Sequence, residues 1–240
     1  NNIMKVFAIS DLHLSINNPK PMDIFGGNWD NYWDKIKKNW SEVVSPDDIV
    51  LISGDISWAL KLEDAIPDLQ EIASLAGKKI IIRGNHDYWW SSYSKEKNIL
   101  PSSIFAIQNN AIKFDDFIIC GTRLWTMPTA NSSEHDKKIY ERELIRLKMT
   151  LDEAKKLSED NLPIILMLHY PPFNALWQDN EITALINQYE NVKHVIYGHL
   201  HGKDCRAKDI VIKNNTPYHL TSCDQVNNTL QLIYDTDIKE

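Results

Sequence analysis

The sequence predicts an α/β fold, and three observations carry that expectation. Short β-branched apolar runs recur along the chain, helix-like stretches separate several of them, and each run stops at small or polar residues. Residues 4–9 stop at Ser10-Asp11, Ile49–Ile52 at Ser53-Gly54-Asp55, and 79–82 at Arg83-Gly84-Asn85-His86. Further on, 117–120 stop at Gly121, Ile164–Leu168 at His169-Tyr170-Pro171, and Val192–Tyr197 at Gly198-His199. Their unbroken apolar character is that of strands buried on both faces.

The helix-like stretches follow in order. Residues 30–44 put Trp33, Ile36, Trp40, Val43 and Val44 on one face, which makes both tryptophans core candidates. Residues 60–76 do the same with Leu62, Ala65, Ile66, Leu69, Ile72 and Ala73, and Gly77 stands as the closing cap. Residues 134–157 read as the longest helix, opened by a Ser133-x-x-Asp136 capping box and seamed by Tyr140, Leu144, Leu147, Leu151 and Ala154. Its dense charge suits a solvated face, while the seam would alternatively serve a lid or a dimer contact. From Ile210 the pattern turns to short alternating strands at 210–212, 219–221 and 229–234, with Asn214-Asn215 and Asn227-Asn228 as turns. No linker, repeat or low-complexity tract interrupts the pattern, so residues 1–240 read as a single domain.

Composition excludes several classes of protein. Of 240 residues, 43% are hydrophobic and 25% charged, which rules out disorder, collagen and coiled coil for the chain as a whole. The net charge of −7 leaves no electrostatic footprint for nucleic acid or an anionic membrane. No apolar run approaches the ~20 residues that span a bilayer. Cys120, Cys205 and Cys223 form neither a disulfide framework nor a C-x-x-C metal site, and they suggest a reducing compartment. A cytoplasmic protein is expected. The chain opens Asn1-Asn2-Ile3-Met4 without a signal-peptide pattern, and a natural start upstream stays open.

Metal-ligating residue types gather where the apolar runs stop. They are Asp11-x-His13, Asp55, Asn85 and His86-Asp87, then His169, and last His199-x-His201. Ligands of open α/β sheets bind outside the carboxyl ends of strands, so these positions converge in space. Taken singly, Asp-x-His or Gly-Asp is ordinary turn chemistry. Besides His86 and Asp87, together they offer two carboxylates, an amide oxygen and four imidazoles. That set exceeds one tetrahedral zinc and suits two divalent ions sharing a carboxylate. Nitrogen and oxygen ligands without thiolate favour manganese, iron, zinc or nickel.

These blocks resemble the signature of the calcineurin-like metallophosphoesterases, from Asp11 to His201. The resemblance implies a four-layer α/β-β/α sandwich of two mixed sheets flanked by helices, with a dinuclear centre on its edge. It assigns Asp11, His13 and His201 to one metal, Asn85, His169 and His199 to the second, and Asp55 to both. His86 would lie beside them as proton donor or phosphate contact. The implied chemistry is in-line attack on phosphorus by water activated between the ions. Where serine/threonine phosphatases continue Gly-Asp-x-x-Asp-Arg-Gly, this chain has Gly54-Asp55-Ile56-Ser57-Trp58-Ala59-Leu60. That departure argues against a protein phosphatase, and Gly84-Asn85-His86-Asp87 points toward bacterial phosphodiesterase-like branches.

Aromatic residues crowd the same segments. Trp58, Tyr88, Trp89, Trp90, Trp125, Tyr170, Phe173 and Trp177 would either face a flat leaving group or pack the walls of the site. Arg123 would clamp a phosphate oxygen or form a rim salt bridge, and Arg83 reads as structural. The expected partner is a small phosphate ester, diester or monoester. The rivals are a nuclease, disfavoured by the acidic charge, and a non-catalytic metal-binding scaffold, disfavoured by the intact blocks.

Overall fold

Two mixed β-sheets face each other, and helices cover both outer faces. The structure, a computed structural model, describes residues 4–159 and 161–238, so the start at Asn1–Asn2 lies outside the described residues. The first sheet is built from β1 (Lys5–Ile9), β2 (Ile49–Ile52), β3 (Lys78–Ile81), β4 (Ile104–Ala106) and β11 (Gln231–Asp235), in the order β11-β1-β2-β3-β4. The second holds β5 (Ala111–Lys113), β6 (Ile118–Thr122), β7 (Ile164–Leu168), β8 (Val192–Tyr197), β9 (Ile210–Lys213) and β10 (Thr216–Leu220), in the order β5-β6-β7-β8-β10-β9. Each sheet is parallel at its centre, and β11, β5 and β9 pair antiparallel at edges.

The period-2 alternation of strands explains the layering. Val6, Ala8, Ile49, Leu51, Ile80, Ile119, Ile165, Met167 and Ile196 fill the space between the sheets. Their neighbours Phe7, Ile9, Val50, Ile52 and Ile81 turn instead toward α1 (Tyr32–Val43) and α2 (Leu62–Ala73). On the far side, Ile118, Cys120, Leu166, Leu168 and Val195 turn toward α4 (Glu134–Ser158) and α5 (Glu181–Asn187). Strands that are apolar on both sides need cover on both faces, which the second sheet and the helices supply here.

Several elements differ from the sequence reading. The second helix covers only 62–73 and carries Pro67 inside it; it ends at Ser74, so Gly77 (φ 89°) belongs to the turn before β3 rather than to the helix cap. On α1, Ile36 and Trp40 are fully buried, whereas Trp33 is half-buried and donates its Nε1 hydrogen to Glu71 (3.2 Å). The α4 seam packs on the second sheet through Tyr140, Leu147, Leu151 and Ala154, so it is core rather than lid. Its cap is half of the expected box, Ser133 Oγ accepting from Asp136 N at 3.1 Å. The short β4, β5 and α3 (Tyr93–Ile99), and α5 with its Asn180 capping box, were not foreseen. Among the described residues no helix is long and apolar enough to cross a membrane.

Trp40 anchors the first helical layer, and its Nε1 donates to the Ala76 carbonyl at 2.9 Å. Trp40→Ala should lower unfolding free energy by roughly 3–5 kcal/mol, from lost burial and the cavity left behind. Urea denaturation followed by far-ultraviolet circular dichroism measures the loss.

Candidate metal centre

All five blocks meet at the carboxyl ends of β1, β2, β3, β7 and β8. The loops after β1 and β2 run side by side: Asp11 N donates to Gly54 O (3.0 Å), His13 N to Asp55 O (3.0 Å) and Leu14 N to Ile56 O (2.9 Å). Asp11, His13, Asp55 and His199 all hold positive φ, between 46° and 70°, a strained region for such residues that persists only where the surroundings impose it. Two glycines make the approach possible. A Cβ on Gly84 would lie 2.2 Å from Asp55 N, and one on Gly198 would lie 2.3 Å from Asp11 Oδ2.

At the centre stands Asp55. Its Oδ1 accepts from His86 N at 2.9 Å, while Oδ2 lies 3.6 Å from His13 Nε2 and 3.5 Å from His169 Nε2. Asn85 Oδ1 lies 2.7 Å from His169 Nε2 and 3.3 Å from His199 Nδ1. His169 Nδ1 donates to the Ser53 carbonyl at 2.7 Å, which fixes the ring and turns Nε2 into the cluster. Asp11 accepts from Ser10 Oγ (2.6 Å), Ser222 Oγ (3.3 Å) and His199 N (3.1 Å). The exposed His201 ring stands 5.9 Å from that of His13, and His86 stands 5.8 Å from it.

Burial sets the electrostatics. It pushes the His13 ring down to about 3 and the His199 ring down to about 4, with neighbouring histidines adding to the effect, so both are neutral at pH 7. Burial raises Asp11 to about 7 despite the charge of His169. For His169 burial works downward, but Asp55 and Asp11 together overcome it and hold the ring at about 9. For Asp55 burial works upward and is outweighed by His169 and His13, which keep it well below the ordinary carboxylate range.

The donor set fits a cation. Both ring nitrogens of His13 and Oδ2 of Asp55 are buried without a hydrogen-bond partner among the described residues. Ligating atoms of Asp11, Asp55 and His169 lie within 4.8 Å of one another. Each unpaired buried polar atom costs about 1–3 kcal/mol, a cost that a shared cation removes.

The calcineurin-like phosphoesterase profile matches residues 4–203. The chain belongs to that family. No curated protein matches it in sequence. Among solved structures, it is similar to TT1561 of Thermus thermophilus, at 11% identity and a TM-score of 0.58, over 97% of this chain and 99% of that one. It is also similar to the phosphopantetheinyl hydrolase of Mycobacterium tuberculosis, at 14% identity and a TM-score of 0.55, over 99% and 98%. These likenesses bear out the four-layer fold. Family membership makes the chain a metal-dependent phosphoesterase.

The aromatic and basic residues of this phosphoesterase divide. The half-buried Trp58 stacks on His13 (4.6 Å) and tilts toward His86 (5.0 Å), so it forms a wall of the cluster. Tyr170 is buried with its ring 4.3 Å from that of His199, and Tyr88 is 56% exposed beside His86. Trp89 corrects the expectation of a substrate contact. At 1% exposure it lies in the core, tied by Nε1 to Asp87. Arg123 gives Nη2 to Glu143 at 3.2 Å, the salt bridge foreseen as the alternative to a clamp.

The sequence set Asp87 among the ligand types without revealing its role as a support, and it did not mark Thr221 or Ser222. Asp87 is wholly buried and accepts from the backbone N–H groups of Gly84 (2.7 Å), Asp55 (2.8 Å), Ile56 (2.9 Å) and Ser57 (3.2 Å). Burial and the Asp55 charge raise it to about 6 against the pull of these donors. Ser222 and Thr221 close the seam to β1, Ser10 N donating to Thr221 O at 2.8 Å. Their one signal was the Ser10-Asp11 pair itself.

Gly84→Ala puts a methyl group against the Asp55 backbone and should cost about 3 kcal/mol or more. A fall in thermal midpoint, with far-ultraviolet signal retained at low temperature, would express it.

Proposed function

We propose that this phosphoesterase hydrolyses small phosphate esters, diesters or monoesters, at a centre of two divalent ions. The observation that carries the reading is the unpartnered Oδ2 of Asp55, set between His13 Nε2 and His169 Nε2. This position of Asp55 supports two ligand sets. Asp11, His13 and His201 would hold one ion, Asn85, His169 and His199 the other, with Asp55 common to both. Manganese, iron, zinc and nickel suit these nitrogen and oxygen donors. When bound, the two ions supply Lewis-acid charge and lower the pKa of water for in-line attack on phosphorus.

The chain's own residues perform the remaining tasks. His13 and His199 offer lone pairs at neutral pH because burial keeps their rings neutral. The Ser53 carbonyl holds His169 in one orientation. His86 borders the cluster, its ring 5.8 Å from that of His13, and would give a proton to the leaving oxygen. Trp58 occupies the place of an acidic partner for that ring, which supports a small-molecule ester over a phosphoprotein as substrate. The three cysteines are unpaired, which supports a reducing, cytoplasmic setting.

Manganese-dependent hydrolysis of bis(p-nitrophenyl) phosphate or p-nitrophenyl phosphate is expected, and Asn85→Ala should abolish it. His86→Ala should lower kcat by about 10²–10⁴ while metal content stays unchanged. Silence on both esters with every divalent metal contradicts the reading.

Proton competition gives a second test. At pH 7 the His169 ring, held at about 9, carries a proton that must leave before Nε2 can ligate. Manganese affinity should therefore rise as pH rises toward 9, with proton release visible by calorimetry in buffers of different ionisation enthalpy. In the metal-free protein the sign reverses. A pKa raised above the unfolded value of 6.5 stabilises the fold fully below that value, and the contribution is lost as pH rises through about 9.

A further inference from the structure

The sequence contains five arginines, Arg83, Arg123, Arg142, Arg146 and Arg206, among 26 basic residues. Three of them converge on one carboxylate. Glu143, 1% exposed, receives Arg146 Nη1 at 2.7 Å, Arg123 Nη2 at 3.2 Å and Arg142 Nε at 3.7 Å, all on Oε1. Arg83 lines the same cleft with Arg123, Glu143 and Arg146, and its Nε is buried without a partner among the described residues.

We propose that Arg83, Arg123 and Arg146 form a binding site for a phosphate group, separate from the metal cluster. Glu143 cancels one positive charge of the three that face the cleft, and the surplus stands in a protein of net charge −7. Lysine dominates the chain's other basic positions, yet this cleft is lined by arginine, whose planar fork matches phosphate oxygens two at a time. A staple fixing α4 to the sheets accounts for Arg123 and Arg146. It leaves unexplained Arg83, which lines the cleft beside them and makes no salt bridge among the described residues.

The placement links the cleft to the cluster. Arg83 directly precedes Gly84-Asn85, and the Arg123 carbonyl accepts from His169 N (3.2 Å) and Tyr170 N (3.1 Å). The end of β3 is thus shared by both sites, and the end of β6 is hydrogen-bonded to that of β7. The ligand is either the second phosphate of a doubly phosphorylated substrate, an assignment that rests on the hydrolytic reading, or free phosphate.

Calorimetric titration of the metal-loaded protein with inorganic phosphate, with and without a chelator, tests the site independently of turnover. Binding that survives chelation should weaken roughly tenfold or more in Arg83→Met and in Arg146→Met. Arg146 is one-third exposed on α4, so its variant answers even where Arg83→Met fails to fold. Glu143→Gln should tighten phosphate binding, which a purely structural staple would not do. Loss of all phosphate binding on chelation, or wild-type affinity in both arginine variants, overturns the proposal. A KM for a nucleoside 3′,5′-bisphosphate at least about tenfold below that for the 5′-monophosphate, lost in Arg146→Met, assigns the cleft to substrate. Equal KM values with phosphate binding intact assign it to free phosphate. Absence of turnover with phosphate binding intact sinks the hydrolytic reading and leaves the site standing.

Discussion

The carboxylate of Asp87 holds the site together. Its two oxygens accept from Gly84, Asp55, Ile56 and Ser57 main-chain N–H groups and from the Trp89 indole, all in a fully buried position. Those donors belong to the loops after β2 and β3, whose backbones would otherwise enter the interior with unsatisfied groups. Clamped in this way, the two loops approach so closely that only glycine fits at position 84. The same clamp holds Asp55 in its left-handed conformation with Oδ2 aimed between two imidazoles.

Around that clamp the rest of the fold acts as a frame. Parallel strands in both sheets deliver loops to one edge, and alternation along each strand buries what lies behind them. The seam from Ser10 to Thr221 and Ser222 joins the sheets just under Asp11, and hydroxyl donors there steady its carboxylate. Strained backbone at Asp11, His13, Asp55 and His199 is the cost of bringing so many lone pairs into one dry volume. In that volume both ring nitrogens of His13 have no hydrogen-bond partner among the described residues.

Much of this was legible in the sequence. The strand runs stand out because burial on both faces demands unbroken β-branched residues, and the ligand types stand out because they end those runs. Other features depend on contacts between distant segments. Nothing local marks Asp87 as an acceptor for Ile56 and Ser57, and Trp89 is as aromatic in a core as it would be in a substrate wall. The three-residue β4 and β5 are too short to display a period. The arginine cleft assembles positions just past β3 and β6 with others from α4, each unremarkable alone.

A single buried carboxylate, by clamping two loops, thus shapes the metal centre. Manganese titration of Asp87→Asn by calorimetry, on protein shown to be folded by near-ultraviolet circular dichroism, tests it most directly. An amide turns one N–H face toward donors, so the loops should part and manganese affinity should fall at least about tenfold. A folded Asp87→Asn protein that takes up manganese with wild-type affinity and stoichiometry would show that the clamp is not what shapes the site.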